Sequence, residues 1–546
     1  MLGTSSSAKK RRTASVNMRC SSAAQAAVGV SISIGRISSV VRRPQRHRAA
    51  SAPAPSSMHD GPDDEARSHA YIAVMNAPQK PDNDRLQAAF DVQRSAFSFD
   101  SVPGISARRM KLRDLLRAIR ARRSEIVDAI SDDFGNRSAD ETLSAEVAVT
   151  IGSIEHTCRH LDRWANPTRM FNLGIPIPGR TYVRHEPKGV VGVISPWNYP
   201  FQLAVIPAAT ALAGGNRVLI KPSEFTPRTA DLLARLFADV YGEDEVAVVT
   251  GGPEIGKTFS ELPFDHLFFT GSTAVGRKIA MAAAENLTPV TLELGGKSPC
   301  VMMPDADPEK HTPLVAFGKF YSAGQTCVAP DYLFVPTGQA AAFGEAIIAA
   351  ARRAHPDPAT GDGYTSIITE RHHDRLAAMI EAARDAGLTV LSAGDAAPEA
   401  RRIPPTVVIG PAPDSRLMTE EIFGPILPIL EYDDLDDAVR FITGRDHPLA
   451  LYAFGRDARA AEKLVARTTS GGAVVNGAIV HLAVEHLPFG GVGTSGYGAY
   501  HGKRGFAEFT HARSVLVLPQ WPILRDTIIR PSGRRMRWLT DWMIGR

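Results

Sequence analysis

Apolar positions recur every three to four residues between Ser106 and Asp133, at Met110, Leu112, Leu115, Leu116, Ile119, Ile126 and Ile130, with basic residues on the other face. That period predicts amphipathic helices. Helical periodicity begins near Asn83, and a further helix is expected from Asp140 to Trp164. His156 and His160 fall on one face of it, and without a third ligand they are read as a solvated helix face, not a metal pair. After a Pro- and Gly-rich loop, Arg180 to Glu186 is polar and β-favouring. It predicts an exposed strand that must pair with something else.

From Gly189 the pattern changes to short, wholly apolar runs separated by helical stretches. The runs are Val190 to Ile194, Arg217 to Ile220, Val246 to Val249 and His266 to Phe269, with helices expected after Pro200 and from Thr226 to Tyr241. Alternation of buried strands with helices predicts an α/β fold with a doubly wound parallel sheet, whose ligand loops lie at the carboxyl ends of the strands. A second α/β region is expected from Tyr332 to about Ala466, followed by a Gly-rich segment, Leu487 to Gly496, and an apolar run, Ser514 to Leu518. No internal repeat is evident. No run of eighteen apolar residues exists, so no membrane span is predicted.

Composition adds little. A chain of 546 residues with 44% hydrophobic and 22% charged residues predicts a soluble globular protein of two or three domains. The net charge of +4 is skewed by residues 1–58, which hold ten Lys or Arg and no Asp or Glu. The remainder is mildly acidic and suggests no nucleic-acid partner. The Ser- and Arg-rich first 75 residues predict a disordered extension. It has the composition of a transit peptide, or is sequence upstream of a start at Met58 or Met75, which is the preferred reading and leaves the protein cytoplasmic. Cys20, Cys158, Cys300 and Cys327 show no metal-like spacing, so neither a zinc site nor disulfides are expected.

The candidate chemistry centres on Cys327, which follows the small pair Ala323-Gly324. A thiol is nucleophilic only as thiolate, so it needs a positive surrounding, a helix N-terminus or a nearby base. Glu293, set among apolar residues and before Gly295-Gly296, has the partly desolvated setting that makes a carboxylate a general base. Alone, each is ambiguous. Three strand ends carry unusual residues: Ser195-Pro196-Trp197-Asn198, Lys221-Pro222-Ser223-Glu224 and Thr270-Gly271-Ser272. The last opens a helix, where backbone N–H groups and the Ser272 hydroxyl suit a phosphate. It lacks the Lys-Ser/Thr of a nucleoside-triphosphate loop. Cys300 is read as a small buried hydrophobe. Lys297 is either functional or a tie for the loop after Glu293.

Taken together, these segments resemble the NAD(P)-dependent aldehyde dehydrogenase superfamily, from roughly Asp91 to Val517. Trp197-Asn198-Tyr199-Pro200, Ala329-Pro330-Asp331-Tyr332 and Tyr500-His501-Gly502 resemble its class 3 branch, and with Gly324-Gln325-Thr326-Cys327 the set is similar to bacterial coniferyl aldehyde dehydrogenases. Pro207, where many branches carry Lys, fits the same branch. The resemblance implies a Rossmann-type cofactor domain (76–296, with a hairpin inserted at 166–186), an α/β catalytic domain (297–475), a return segment (476–512), an oligomerisation strand (513–520) and a tail (521–546).

It also implies roles. Cys327 is the nucleophile, Glu293 the base that activates water, and Asn198 with the Cys327 N–H the oxyanion donors. Ser195, Pro196, Trp197, Lys221, Glu224, Gly271, Ser272, Leu294, Glu421 and Phe423 hold the cofactor, with Lys221 and Glu224 at the adenosine ribose and Glu421 at the nicotinamide ribose. Glu224 favours NAD, with NADP the alternative. The substrate is an aldehyde, aromatic of the coniferyl type or of medium chain. A CoA-acylating relative would not need Glu293, and a catalytically silent member would not need the trio. The resemblance further implies a homodimer or tetramer, in which the 180–186 strand, unpaired within one subunit, receives 514–518 from a partner.

Overall fold

A computed structural model describes residues 82–99, 102–170, 179–522 and 533–545. The basic extension 1–75 and the tip of the 166–186 hairpin lie outside them. Two amphipathic helices, Ile105–Ala121 and Arg123–Phe134, occupy the stretch of helical periodicity, broken at Arg122. The next helix is interrupted as well. A three-residue turn, Ala139–Glu141, leads into a π-helical stretch, Thr142–Ala148, before the α-helix Val149–Ala165.

The apolar runs form a six-stranded sheet in the order Gly496–Tyr497, Val290–Leu294, His266–Gly271, Val190–Ile194, Arg217–Lys221, Val246–Val248. All neighbours are parallel except the short Gly496–Tyr497 edge. Strands buried along their whole length need cover on both faces, and helices supply it. Gln202–Gly214 is the innermost of these helices. Every residue of it after Gln202 is buried, which is why its sequence is apolar all round. Pro227–Ala238 starts on a cap from elsewhere: the Asp133 carboxylate accepts the Arg228 and Thr229 N–H groups, each at 2.9 Å.

A seven-stranded sheet holds the second α/β region, in the order Thr389–Ser392, Thr406–Ile409, Ile426–Tyr432, Tyr332–Pro336, Pro299–Met302, Ala450–Phe454, Gly472–Val475. One apolar core joins the two sheets, running from Val191 and Val218 to Cys300, Leu333 and Tyr452. Cys300 is fully buried, as a small hydrophobe should be.

Two expectations need correcting. Strand Arg180–Pro187 is not left unpaired within the chain. It is the middle strand of a three-stranded antiparallel sheet, between Thr168–Met170 and Thr510–Val517 of the same chain, with Val183 opposite Ser514 and Thr181 opposite Leu516. A polar strand finds its partner locally because the return segment ends beside it. Nor are His156 and His160 a solvated face: His156 is 6% exposed, packed against His160, Trp164 and His486 with ring centroids 4.2 to 5.6 Å away.

Candidate active site

The loop Ser195 to Tyr199 leaves the carboxyl end of the central strand Val190–Ile194, and Glu293 is the penultimate residue of the strand two places across. Cys327 comes from the other sheet, five residues before strand Tyr332–Pro336. The chain reaches it through three consecutive left-handed residues, Ser322 (φ 53°), Ala323 (φ 51°) and Gly324 (φ 72°). The two non-glycine residues each cost on the order of 1 kcal/mol in that region. At Gly324 a Cβ would run into the Gly424 carbonyl, so the turn admits no side chain there.

These residues meet. Asn198, Glu293 and Cys327 line one cavity of about 250 Å³, together with Leu294, Glu421 and Phe423. The Asn198 side-chain amide donates one hydrogen to the Gln325 carbonyl at 3.1 Å, which leaves its second hydrogen for another acceptor. Glu293 is 3% exposed, and neither of its oxygens has a partner. Burial, with Glu508 nearby, pushes its carboxyl well above the usual carboxylate range. Burial also pushes the Cys327 thiol up to about 12, helped by the negative charges of Glu421 and Glu293, while the backbone N–H groups of Cys327 and Val328 pull it down. Of the three aids expected for this thiol, no cation acts on it among the described residues, while Glu293, the expected base, lines the same cavity. A negative charge on Glu293 therefore makes the Cys327 thiolate harder to form.

A second cavity of about 880 Å³ shares Pro196, Trp197, Gly271 and Ser272 with the first and runs away from Cys327. Ser195, Lys221 and Glu224 line it, and Lys221 pairs with Glu224 at 2.9 Å. Ser272 caps helix Thr273–Glu285. It lies in both cavities, between the Lys221–Glu224 pair on one side and Glu421 with Phe423 on the other. The hydroxyls of Ser195 and Thr270 are buried in these walls without partners. Phe423 holds a left-handed backbone (φ 49°), another strained residue at the cavity wall. Glu421 is held by the Gly296 N–H at 3.2 Å, and burial raises its carboxyl to about 7.

The residues given catalytic or cofactor roles by the resemblance thus all line these two connected cavities. With them stand His372 and Arg375, which sequence reasoning missed. Both come from helix Glu370–Asp385, and no motif marks them. Lys297 resolves as a tie: its ammonium binds Asp331 and the carbonyls of Leu417 and Glu420, the latter two at 2.8 Å, anchoring the segment that carries Glu421. Among the described residues no cluster of His, Cys, Asp or Glu could hold a metal ion.

The family model for the aldehyde dehydrogenase family matches residues 66–515. The chain belongs to that family. It is an NAD(P)-using oxidoreductase of aldehydes. It is 44% identical over 454 residues to a probable coniferyl aldehyde dehydrogenase of Caulobacter vibrioides, covering 81% of this chain and 93% of that one. It is 39% identical to the dimeric NADP-preferring aldehyde dehydrogenase of Rattus norvegicus, covering 78% and 92%. Among solved structures, the substrate-bound state of Staphylococcus aureus AldH matches with a TM-score of 0.76 at 36% identity, covering 82% of this chain and 99% of that one. The Mycobacterium tuberculosis aldehyde dehydrogenase complexed with NAD+ matches at 0.74 and 28%, covering 82% and 92%. No helix among the described residues is long and apolar enough to cross a membrane.

The cavities fit the dinucleotide. Carboxylates stand on either side of the Ser272 helix start, suited to two ribose diols flanking a pyrophosphate, and the unpartnered Ser195 and Thr270 hydroxyls await hydrogen-bond partners.

Proposed function

We propose that this enzyme oxidises an aromatic aldehyde of the coniferyl type, or a medium-chain aldehyde, to the carboxylic acid through a thioester on Cys327. The observation that carries the reading is the convergence of Cys327, Glu293 and Asn198 on one small cavity, with both Glu293 oxygens unpartnered. The aromatic preference is supported by the Caulobacter relative's name.

The Cys327 thiolate attacks the aldehyde carbon and forms a C–S bond. Negative charge passes to the carbonyl oxygen, which accepts the free Asn198 amide hydrogen and the Cys327 N–H; losing such a donor costs ~10²–10³ in rate. Bound nicotinamide supplies a hydride acceptor and a positive charge beside the thiol. In the second half-reaction Glu293 takes a proton from water as its oxygen attacks the thioester carbon, and the Cys327 thiolate leaves. Negative charge is needed on sulfur for the first step and on the carboxylate for the second. Ser195, Pro196, Trp197, Lys221, Glu224, Gly271, Ser272, Leu294, Glu421 and Phe423 hold the cofactor in this reading, with Glu224 favouring NAD and Lys221 leaving NADP admissible.

Formation of reduced cofactor with a panel of aldehydes, including coniferaldehyde and aliphatic aldehydes of graded length, tests the proposal. Cys327→Ala should abolish it, and turnover in that variant would overturn it. We also infer a homodimer. Strand Thr510–Val517 has a free edge with Leu516, Val517 and Leu518 exposed beside it, and the rat relative is named as dimeric. Light scattering after size exclusion reads the mass directly.

A further inference from the structure

Residues 137–146 carry three charged side chains that are buried but line neither cavity. Arg137 is 2% exposed, Glu141 7% and Glu146 0%. Buried charges are costly unless well partnered, so their partners are informative. Arg137 lies between the rings of Tyr199 and Phe134, at 4.7 and 5.0 Å from their centroids. Its Nη1 donates to the backbone carbonyl of Asn198 at 2.7 Å and reaches a Glu146 oxygen at 3.3 Å. The other Glu146 oxygen accepts the Gln202 N–H at 2.7 Å, so Asn198 and the start of the helix that follows its loop are held from this one segment.

Glu141 grips the other catalytic loop. One of its oxygens accepts the N–H of Ser322, the first left-handed residue before Cys327, at 2.9 Å, and the second accepts the Thr365 hydroxyl at 2.6 Å. The two loops also bind each other, through Asn198 to the Gln325 carbonyl and through the Tyr199 and Thr326 hydroxyls at 2.7 Å. The π-helical stretch explains how one segment serves both. Residues five apart on an α-helix point about 140° away from each other. With i→i+5 bonding they come to one face, which lets Glu141 and Glu146 both look inward.

We propose that Arg137, seated by Glu146, is a positioning residue that sets the Asn198 amide in register with Cys327, while Glu141 sets the Cys327 loop against it. This rests on the role given to Asn198 above. Arg137 keeps Nε and Nη2 buried without partners. A long apolar side chain would fill the slot between the rings without that penalty. What the guanidinium adds is the directed bond to the Asn198 carbonyl.

The test is a double-mutant cycle between Arg137→Lys and Asn198→Ala on full-length enzyme. Lys keeps the buried cation but not the planar guanidinium that lies against both rings and aims Nη1 at Glu146 and the carbonyl. Arg137→Lys should lower kcat by roughly 10- to 100-fold, as small displacements of catalytic groups do, and leave the aldehyde KM within about threefold. The two losses should overlap, with the double variant no more than about threefold below Asn198→Ala alone. Alkylation of Cys327 by iodoacetamide at about pH 9 should stay within about threefold of wild type, because the thiol itself is not displaced. Wild-type kcat in Arg137→Lys, or losses that multiply, would overturn the proposal. Should Arg137→Lys fail to fold, Glu146→Gln in the same cycle decides in its place, by overlap or multiplication. Wild-type kcat in Asn198→Ala alone would instead overturn the oxyanion role of Asn198.

Discussion

Replacing Glu293 by Gln separates the two halves of the reaction. The amide is isosteric, and because neither Glu293 oxygen has a hydrogen-bond partner, the exchange breaks no bond. The amide puts an NH2 group in place of one oxygen and can no longer take a proton from water. General-base catalysis contributes ~10²–10⁴ in rate, or about 3–5 kcal/mol of barrier, so steady-state turnover should fall by that factor. The first half-reaction should survive as a burst of reduced cofactor approaching about one equivalent per active site in rapid-mixing absorbance, followed by a slow phase. Stability should move the other way. A carboxyl raised by burial holds its proton longer folded than unfolded, so the wild type loses stability as pH climbs from the ordinary carboxylate range toward the folded value. Gln has no such loss, and the Tm difference in its favour should widen with pH. Full turnover in the variant, or disappearance of the burst along with turnover, would refute the assignment.

Glu224→Gln removes the partner of Lys221, 2.9 Å away, and should raise the ratio of kcat/KM for NADP over NAD by roughly tenfold, about 1.4 kcal/mol; an unchanged ratio counts against the adenosine-ribose assignment. At Gly295 a Cβ would run into the Glu421 carboxylate, so Gly295→Ala should raise the cofactor KM roughly tenfold or more through loss of charge-assisted hydrogen bonds, with Tm changed little. In wild type, kcat/KM for aldehyde should rise from about pH 6 to about pH 9, because the thiol, held up to about 12, gains its thiolate form upward in pH. A flat profile would mean that this ionisation does not limit the free enzyme.

The loops at Ser195, Lys221 and Thr270 were legible because a doubly wound sheet delivers its loops to one edge, whereas Cys327, which comes from the other sheet, could be joined to Glu293 and Asn198 only through the family resemblance. The three-stranded sheet was half legible. Period and polarity showed that Arg180 to Glu186 and Ser514 to Leu518 were strands, but an edge pattern looks the same whether its partner lies in the same chain or another. Arg137, Glu141 and Glu146 were invisible for a different reason. Arg137 lies in the loop before the expected helix and Glu141 and Glu146 in its first turns, and nothing local says that a π-helical stretch follows or that these charges turn inward against loops far along the chain. His156 misled in the same way, since a helical wheel cannot show that His486 and Trp164 close over it.

The burial and the two carboxylates that hold up the Cys327 thiol also govern how the enzyme survives idleness. Peroxide oxidises thiolates, not thiols, and climbs from sulfenic to irreversible sulfonic acid. A nucleophile held near 12 by burial and two carboxylates is almost wholly protonated at rest. Free enzyme should therefore lose Cys327 to peroxide slowly, at a rate that climbs with pH and can be followed by thiol counting. The electrostatics that make this cysteine a reluctant nucleophile are the same ones that keep it reduced between turnovers.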